Sequence, residues 1–144
     1  MNKLYLGLIE KTSQYGSQWV DLSVKKDDSL ISLFRGRVNI SELLDWFRDN
    51  EEEIKSSDLP INEPSSGSLA KKIQRFYEYV EIEDDEIVDA MFDYRACHCL
   101  RFAARGTNFP EIYIGKKVDG HEISLFTDEQ DWQYFIDIDD FFLI

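Results

Sequence analysis

A chain of 144 residues fits one domain of ordinary size, since single domains most often run about 100–150 residues. With 43% hydrophobic and 14% aromatic residues, it has the large side chains whose lack keeps other chains disordered. Acids outnumber Lys and Arg by 29 to 16, and this net charge of −13 repels nucleic acid and anionic lipid unless the few bases are sharply clustered.

Leu4, Leu6 and Leu8 alternate with Tyr5 and predict a first strand; Trp19 to Val24 predicts a second, after a turn at Ser13–Ser17. Lys25 to Ser29 is a further turn. Leu30 to Val38 reads as a third strand, although Leu30–Phe34 could equally open a helix. From Asn39 to about Ser56 the spacing predicts one helix. Asn39 with Glu42 makes a capping pattern, and Ile40, Leu43, Leu44, Phe47 and Ile54 form one apolar stripe with Trp46 beside it. Asn62 to Gly67 is loop. A second helix, capped near Ser66 or Ser68, carries Leu69, Ile73, Phe76, Tyr77 and Val80 on its apolar face. Acids at Glu83, Asp84 and Asp85 suit the start of a third, shorter helix with Ile87, Val88, Met91 and Phe92 as its stripe.

From Cys97 onward the pattern reads as period two, with His98, Leu100, Phe102 and Ala104 on one face. Arg105 to Asn108 turns the chain and Glu111 to Ile114 is strand. Asp119-Gly120 favours a tight hairpin. Glu122 to Phe126 and Trp132 to Ile138 are the last two strands, and Phe141 to Ile144 is expected to pack on the core. Strands, then helices, then strands predict a single α+β domain over 1–144. Its sheets would be mostly antiparallel, with about six to seven strands in all and two to three helices in the middle of the chain.

Reaction chemistry is weakly signalled. Cys97-His98-Cys99 offers three zinc-type donors, but on a strand the imidazole faces away from both thiols. Asp137, Asp139 and Asp140 lack any Lys or Arg within the last 27 residues to hold an anionic substrate. No nucleophile elbow or phosphate loop appears, and Gly36 between Arg35 and Arg37 reads as a turn or bulge glycine. No catalytic residue, metal or cofactor is expected. No apolar run nears the roughly 20 residues of a membrane helix. Met1 to Tyr5 already reads as strand and meets Glu10 too early for a signal peptide, so a cytoplasmic protein is expected.

The strongest binding signal is C-terminal. Val118 to Ile144 holds eight acids and no Lys or Arg, interrupted by aromatics. Asp128, Glu129, Asp131, Trp132, Tyr134, Asp137, Asp139 and Asp140 are therefore the expected partner-binding residues, with rings as anchors and carboxylates as steering. Trp132, Tyr134 and Phe135 put rings on both sides of one strand. Either one side is a protein-binding surface, or the strand is sandwiched between two layers.

Arg35-Gly36-Arg37-Val38-Asn39-Ile40-Ser41-Glu42-Leu43-Leu44-Asp45-Trp46-Phe47 and Leu100-Arg101-Phe102-Ala103-Ala104-Arg105-Gly106-Thr107 resemble the immunity proteins of contact-dependent growth inhibition systems. The resemblance implies a cytosolic antidote to the C-terminal toxin domain of a delivered effector, commonly a basic nuclease. Some members are similar to the Whirly type, two antiparallel sheets packed against helices. Interfaces in such families diverge with each toxin, so no binding residue is carried over. The alternatives are a generic acidic interaction module, a nucleic-acid-mimicking inhibitor without a co-encoded toxin, and a small hydrolase with a deep pocket.

Overall fold

The computed structural model of the chain describes residues 2–8, 17–61, 67–79, 85–104, 109–117, 120–139 and 141–143. The turn expected at Ser13–Ser17 falls mostly outside them, as do the acids at 81–84 and Asp140.

β1 (Lys3–Leu8), β2 (Ser17–Lys26) and β3 (Ser29–Asn39) form an antiparallel meander. Alternation puts Leu4, Val20, Leu22, Val24 and Val38 in the core. Asp27 takes a left-handed φ of 56° in the β2–β3 turn, a conformation that Asp tolerates better than most residues. Leu22 stands opposite Phe34 but Ser23 opposite Ser32, which leaves Leu33 as a bulge. The bulge lets Leu33 and its neighbour Phe34 both pack against the core, and it settles the ambiguous Leu30–Phe34 stretch as strand.

The helix expected from Asn39 to Ser56 is two helices, α1 (Ile40–Asp49) and α2 (Glu51–Ser56). Asn39 Oδ1 accepts from the Glu42 N–H at 3.2 Å, so the cap is as the sequence predicts. The break lies at Asn50, whose backbone N–H and side-chain amide both donate to the Trp46 carbonyl, at 3.1 and 2.8 Å. An Asn side chain offers the backbone a local alternative to the helix ladder, and here it ends α1.

α3 (Leu69–Tyr79) is capped by Ser68, whose hydroxyl accepts from Lys71 N–H at 3.1 Å. α4 (Asp85–His98) runs past the expected third helix into the Cys-His-Cys segment. Cys97 and His98 are its last turn, Cys99 makes an isolated antiparallel bridge with Tyr113, and Leu100–Ala103 is a 3-10 turn. The period-two reading from Cys97 is thus overturned. Buried Met91, Tyr94 and His98 lie three and four residues apart and carry the helical stripe onward. Phe92, expected on that stripe, is 54% exposed.

β4 (Tyr113–Lys117), β5 (Gly120–Phe126) and β6 (Asp131–Ile136) form a second antiparallel meander. Gly120 opens β5 with φ +142°, open to glycine and rarely to other residues. Among the described residues the architecture is α+β, with six strands in two separate three-stranded sheets and, where two to three helices are expected from the sequence, four α-helices between them in sequence. After β6 the chain returns to the first sheet: Asp137 N–H donates to the Asn2 carbonyl at 2.8 Å, beside a single parallel bridge to Lys3. Phe141 is buried edge-on against Phe47, centroids 4.9 Å apart, and Phe142 packs beside it, so these two rings meet the core as expected, whereas Ile144 lies outside the described residues.

The second sheet is covered on both faces. Ile114, Ile123, Leu125 and Ile136 face the first sheet and α1. Tyr113 faces α3 and α4 with Leu69, Ile73 and Met91. A Cβ on Gly115 would lie 2.9 Å from Tyr94 Oη and 3.0 Å from Leu69 Cδ1, so this glycine sets how closely the helices approach the sheet. Among the described residues no helix is long and apolar enough to cross a membrane.

Candidate partner-binding surface

The expected surface starts at the β5–β6 tip, residues 127–130. Thr127 N–H donates to the Gln130 carbonyl at 2.7 Å, and Thr127 Oγ1 accepts from the Glu129 and Gln130 N–H groups at 3.3 and 3.0 Å. Those bonds fix the loop and leave Asp128, Glu129 and the adjoining Asp131 exposed. None of the ion pairs among the described residues involves these three or Asp139.

The rings of β6 divide. Trp132 and Tyr134 share the face of Ile136 and pack, half-buried, against the main core, their centroids 5.8 Å apart. Phe135 points to the opposite face, opposite Glu122, and is 60% exposed. The strand is therefore sandwiched where α3 reaches it and open at the sheet edge. The expected anchors Trp132 and Tyr134 are largely engaged internally, and Phe135 is the ring presented to solvent.

Asp137 and Asp139 stand apart from the tip. Six strand steps of about 3.3 Å put Asp137 roughly 20 Å from Asp131. Asp137 is half-buried, its Oδ1 accepting from Asp139 N–H at 3.1 Å, and it lines a crevice of about 270 Å³ with Lys3, Leu4, Tyr5, Leu6, Lys25 and Phe141. Cations thus sit around Asp137, whereas Asp139 is exposed. Asp140 lies outside the described residues.

One acid of the C-terminal run is internal. Glu122 is fully buried. Its Oε1 accepts from Gln133 Nε2 at 2.9 Å and lies 3.1 Å from Lys117 Nζ; Oε2 accepts from Leu69 N–H at 3.0 Å, at the α3 N-terminus. This carboxylate joins sheet to helix. Its placement follows from the β4–β5 register, which aligns Gly115 with Glu122 and places Lys117 on the same face.

The Cys-His-Cys segment does not converge on a metal, and among the described residues no three His, Cys, Asp or Glu side chains are placed to hold one. Burial pushes the Cys99 thiol up to about 11 and the Cys97 thiol above its ordinary value. His98 is buried, stacked on Tyr94 at 3.8 Å, with Nδ1 2.8 Å from the Tyr94 carbonyl and Nε2 3.0 Å from the Glu53 carbonyl. Both carbonyls favour the imidazolium, but burial outweighs them and holds the ring below its usual value. An acidic crevice of about 420 Å³ beside it, lined by Glu53, Asp58, Asp93 and Cys97, has no signal in the sequence because α2, the segment after it and α4 all contribute to it.

Compared with models of protein families, with curated proteins and with solved structures, the chain matches none.

Proposed function

We propose that this chain is an immunity protein of the contact-dependent growth inhibition type, which neutralises a cognate, basic nuclease toxin domain in the cytoplasm and transforms no substrate. The observation that carries the reading is the fixed β5–β6 tip. It holds Asp128, Glu129 and Asp131 in solvent, outside the described ion pairs, with the exposed ring of Phe135 about 13 Å from Asp131 along β6. A nuclease presents Lys and Arg to phosphates, so carboxylates on a rigid hairpin speed encounter, while a ring that can be desolvated slows departure. The two antiparallel sheets with helices are compatible with a Whirly-type arrangement, which belongs to the same proposal.

The test uses the toxin domain expected at the end of a large secreted protein encoded immediately upstream. Reversing Asp128, Glu129 and Asp131 to Lys together should cut the association rate by about 10-fold or more at low salt and also raise the dissociation rate. A control that reverses the exposed Asp49, Glu52 and Asp89 changes net charge equally and should slow association without touching dissociation. If both triples leave binding and protection unchanged, or the control alone weakens the complex, the tip is not the contact.

A further inference from the structure

β1 is an outer strand of the first sheet. Among the described residues it pairs with β2 on one side, and on the other it meets only Asp137, through the single parallel bridge at Lys3. The Asn2 carbonyl accepts from Asp137 N–H, so Asn2 turns its backbone groups away from β2. Backbone direction alternates along a strand, and Leu4 and Leu6 therefore face the same way. The chain leaving β6 runs parallel to β1 for that one bridge and then departs. Ile138 turns into the core, and residues 141–143 coil into a 3-10 turn. The Leu6 N–H and the Leu4 and Leu6 carbonyls thus face a strand position that no described strand fills.

Beside these groups lies the crevice of about 270 Å³. Leu4, Leu6 and Phe141 give it apolar walls, Lys3 and Tyr5 border it on β1, and Lys25 reaches it from β2. Leu4 is buried, whereas Leu6, on the same core-facing side, stays half-buried at the open edge. Strand addition uses such an edge: the backbone supplies ladder bonds, and alternate side chains of the guest fill pockets.

Charge selects the guest. β1 to β3 and their turn carry Lys3, Lys25, Lys26, Arg35 and Arg37 against Asp21, Asp27 and Asp28, which is 5 − 3 = +2 in a chain of net −13. On the outer face Lys3, Lys25, Arg35 and Arg37 outnumber Asp21. Asp21 holds Arg35 at 3.1 Å, but Lys25 is exposed and joins no ion pair among the described residues. In the crevice two lysines stand against one carboxylate, Asp137, which already accepts from Asp139 N–H.

We propose that the open edge of β1 docks an extended segment of a partner protein in which one acidic residue stands between two apolar ones. The segment adds antiparallel to β1. Its first apolar residue stands opposite Leu6 and exchanges both backbone bonds with it; the second stands opposite Leu4 and gives its N–H to the Leu4 carbonyl. Both side chains enter the crevice against Leu4, Leu6 and Phe141, and the segment turns away at Asp137. The acid between them lies opposite Tyr5 on the outer face, within reach of Lys25. This edge takes an acidic guest and does not depend on the acidic tip or its toxin.

The experiment is a two-dimensional amide NMR titration of the full chain with the acetylated, amidated peptide Ser-Thr-Val-Glu-Val-Ser. Saturable shifts should centre on Leu4 to Leu6 and Lys25, with a Kd under about 1 mM. Methylating the backbone nitrogen of the first valine should weaken binding about tenfold or more, because it replaces a ladder bond with a clash. Exchanging the peptide's Glu for Lys should weaken it about fivefold, the order of an exposed ion pair turned repulsive. Lys25→Glu should reverse that preference, and an unchanged melting temperature shows the variant folded. Absence of saturable shifts, or shifts centred away from β1, overturns the proposal. So does binding of the methylated or the Lys peptide within twofold of the parent peptide. Concentration-dependent shifts at Leu4 to Leu6 without peptide, in a chain that sediments as a dimer, overturn it as well, since a second copy then fills the edge.

Discussion

Removing the Glu122 carboxylate tests the joint between the second sheet and α3. The carboxylate is fully buried and serves Lys117, Gln133 and the Leu69 N–H, all within 3.1 Å. Glu122→Ala removes the counter-charge of a lysine whose side chain is only 19% exposed, leaving it the Gly67 carbonyl alone, and leaves one helix-terminal N–H without its acceptor. Breaking a buried ion pair from one side costs about 3–5 kcal/mol. Lys117 sits at the edge of the sheet and can turn partly toward water, which argues for the lower half of that range. For this length the unfolding entropy is about 0.3 kcal/mol/K, so a loss of about 3–4 kcal/mol lowers Tm by roughly 10–13 °C. Urea denaturation should show the midpoint fall with an unchanged slope. Lys117→Met with Glu122→Met should recover part of the loss, because neither charge is then left alone. A Tm drop under about 3 °C for Glu122→Ala would refute the account, since it would mean the carboxylate is solvated or dispensable.

The remaining predictions concern the same core. Gly115→Ala should destabilise by about 1–3 kcal/mol, because its Cβ meets Tyr94 Oη at 2.9 Å, and adding Tyr94→Phe should relieve much of it. Tyr94→Phe alone should leave chemical-denaturation stability equal or higher, since that buried hydroxyl has no hydrogen-bond partner. His98 is held below its ordinary value, so the unfolded chain binds the proton more tightly. Its contribution is full above about pH 6.5 and lost as pH falls through the folded value. Stability measured from pH 7.5 to 5 should therefore decline less steeply in His98→Gln than in the parent. Phe135→Ser should move Tm by less than about 2 °C, because a ring 60% exposed contributes little to the core.

Where sequence and structure part, the cause is tertiary. The alternation of the first three strands and the Asn39–Glu42 cap are local, and both appear as read. Cys97 to Ala104 misleads because His98, Leu100, Phe102 and Ala104 are apolar or buried at every second position. The helix nonetheless persists through His98, whose ring is held by the Tyr94 and Glu53 carbonyls, and only then does Leu100 N–H find Ile112. The Asn50 break is a side-chain contest for one carbonyl, which hydrophobic spacing does not register. Strand count was legible, but the division into two sheets depends on the helices that intervene and on the single Lys3–Asp137 bridge.

The candidate surface was legible to the same depth. Period two correctly separates Trp132 and Tyr134 from Phe135, yet it does not say which side meets the core. That is decided by β5, where Ile123 and Leu125 stand opposite Tyr134 and Trp132 and draw those rings inward. Glu122, on the other side, is claimed by Lys117 and α3, and Phe135 is left at the edge beyond the helix. The same logic applies to charge. A count of −13 treats Asp128 and Glu122 as equals, although one is held in solvent by a hydrogen-bonded turn and the other is sealed against a lysine. It also hides a cationic face on the first sheet. A cationic partner is drawn toward the second sheet's hairpin and repelled by the outer face of the first. The fold therefore orients that encounter, and only those acids that the fold keeps both exposed and unshared can do the steering.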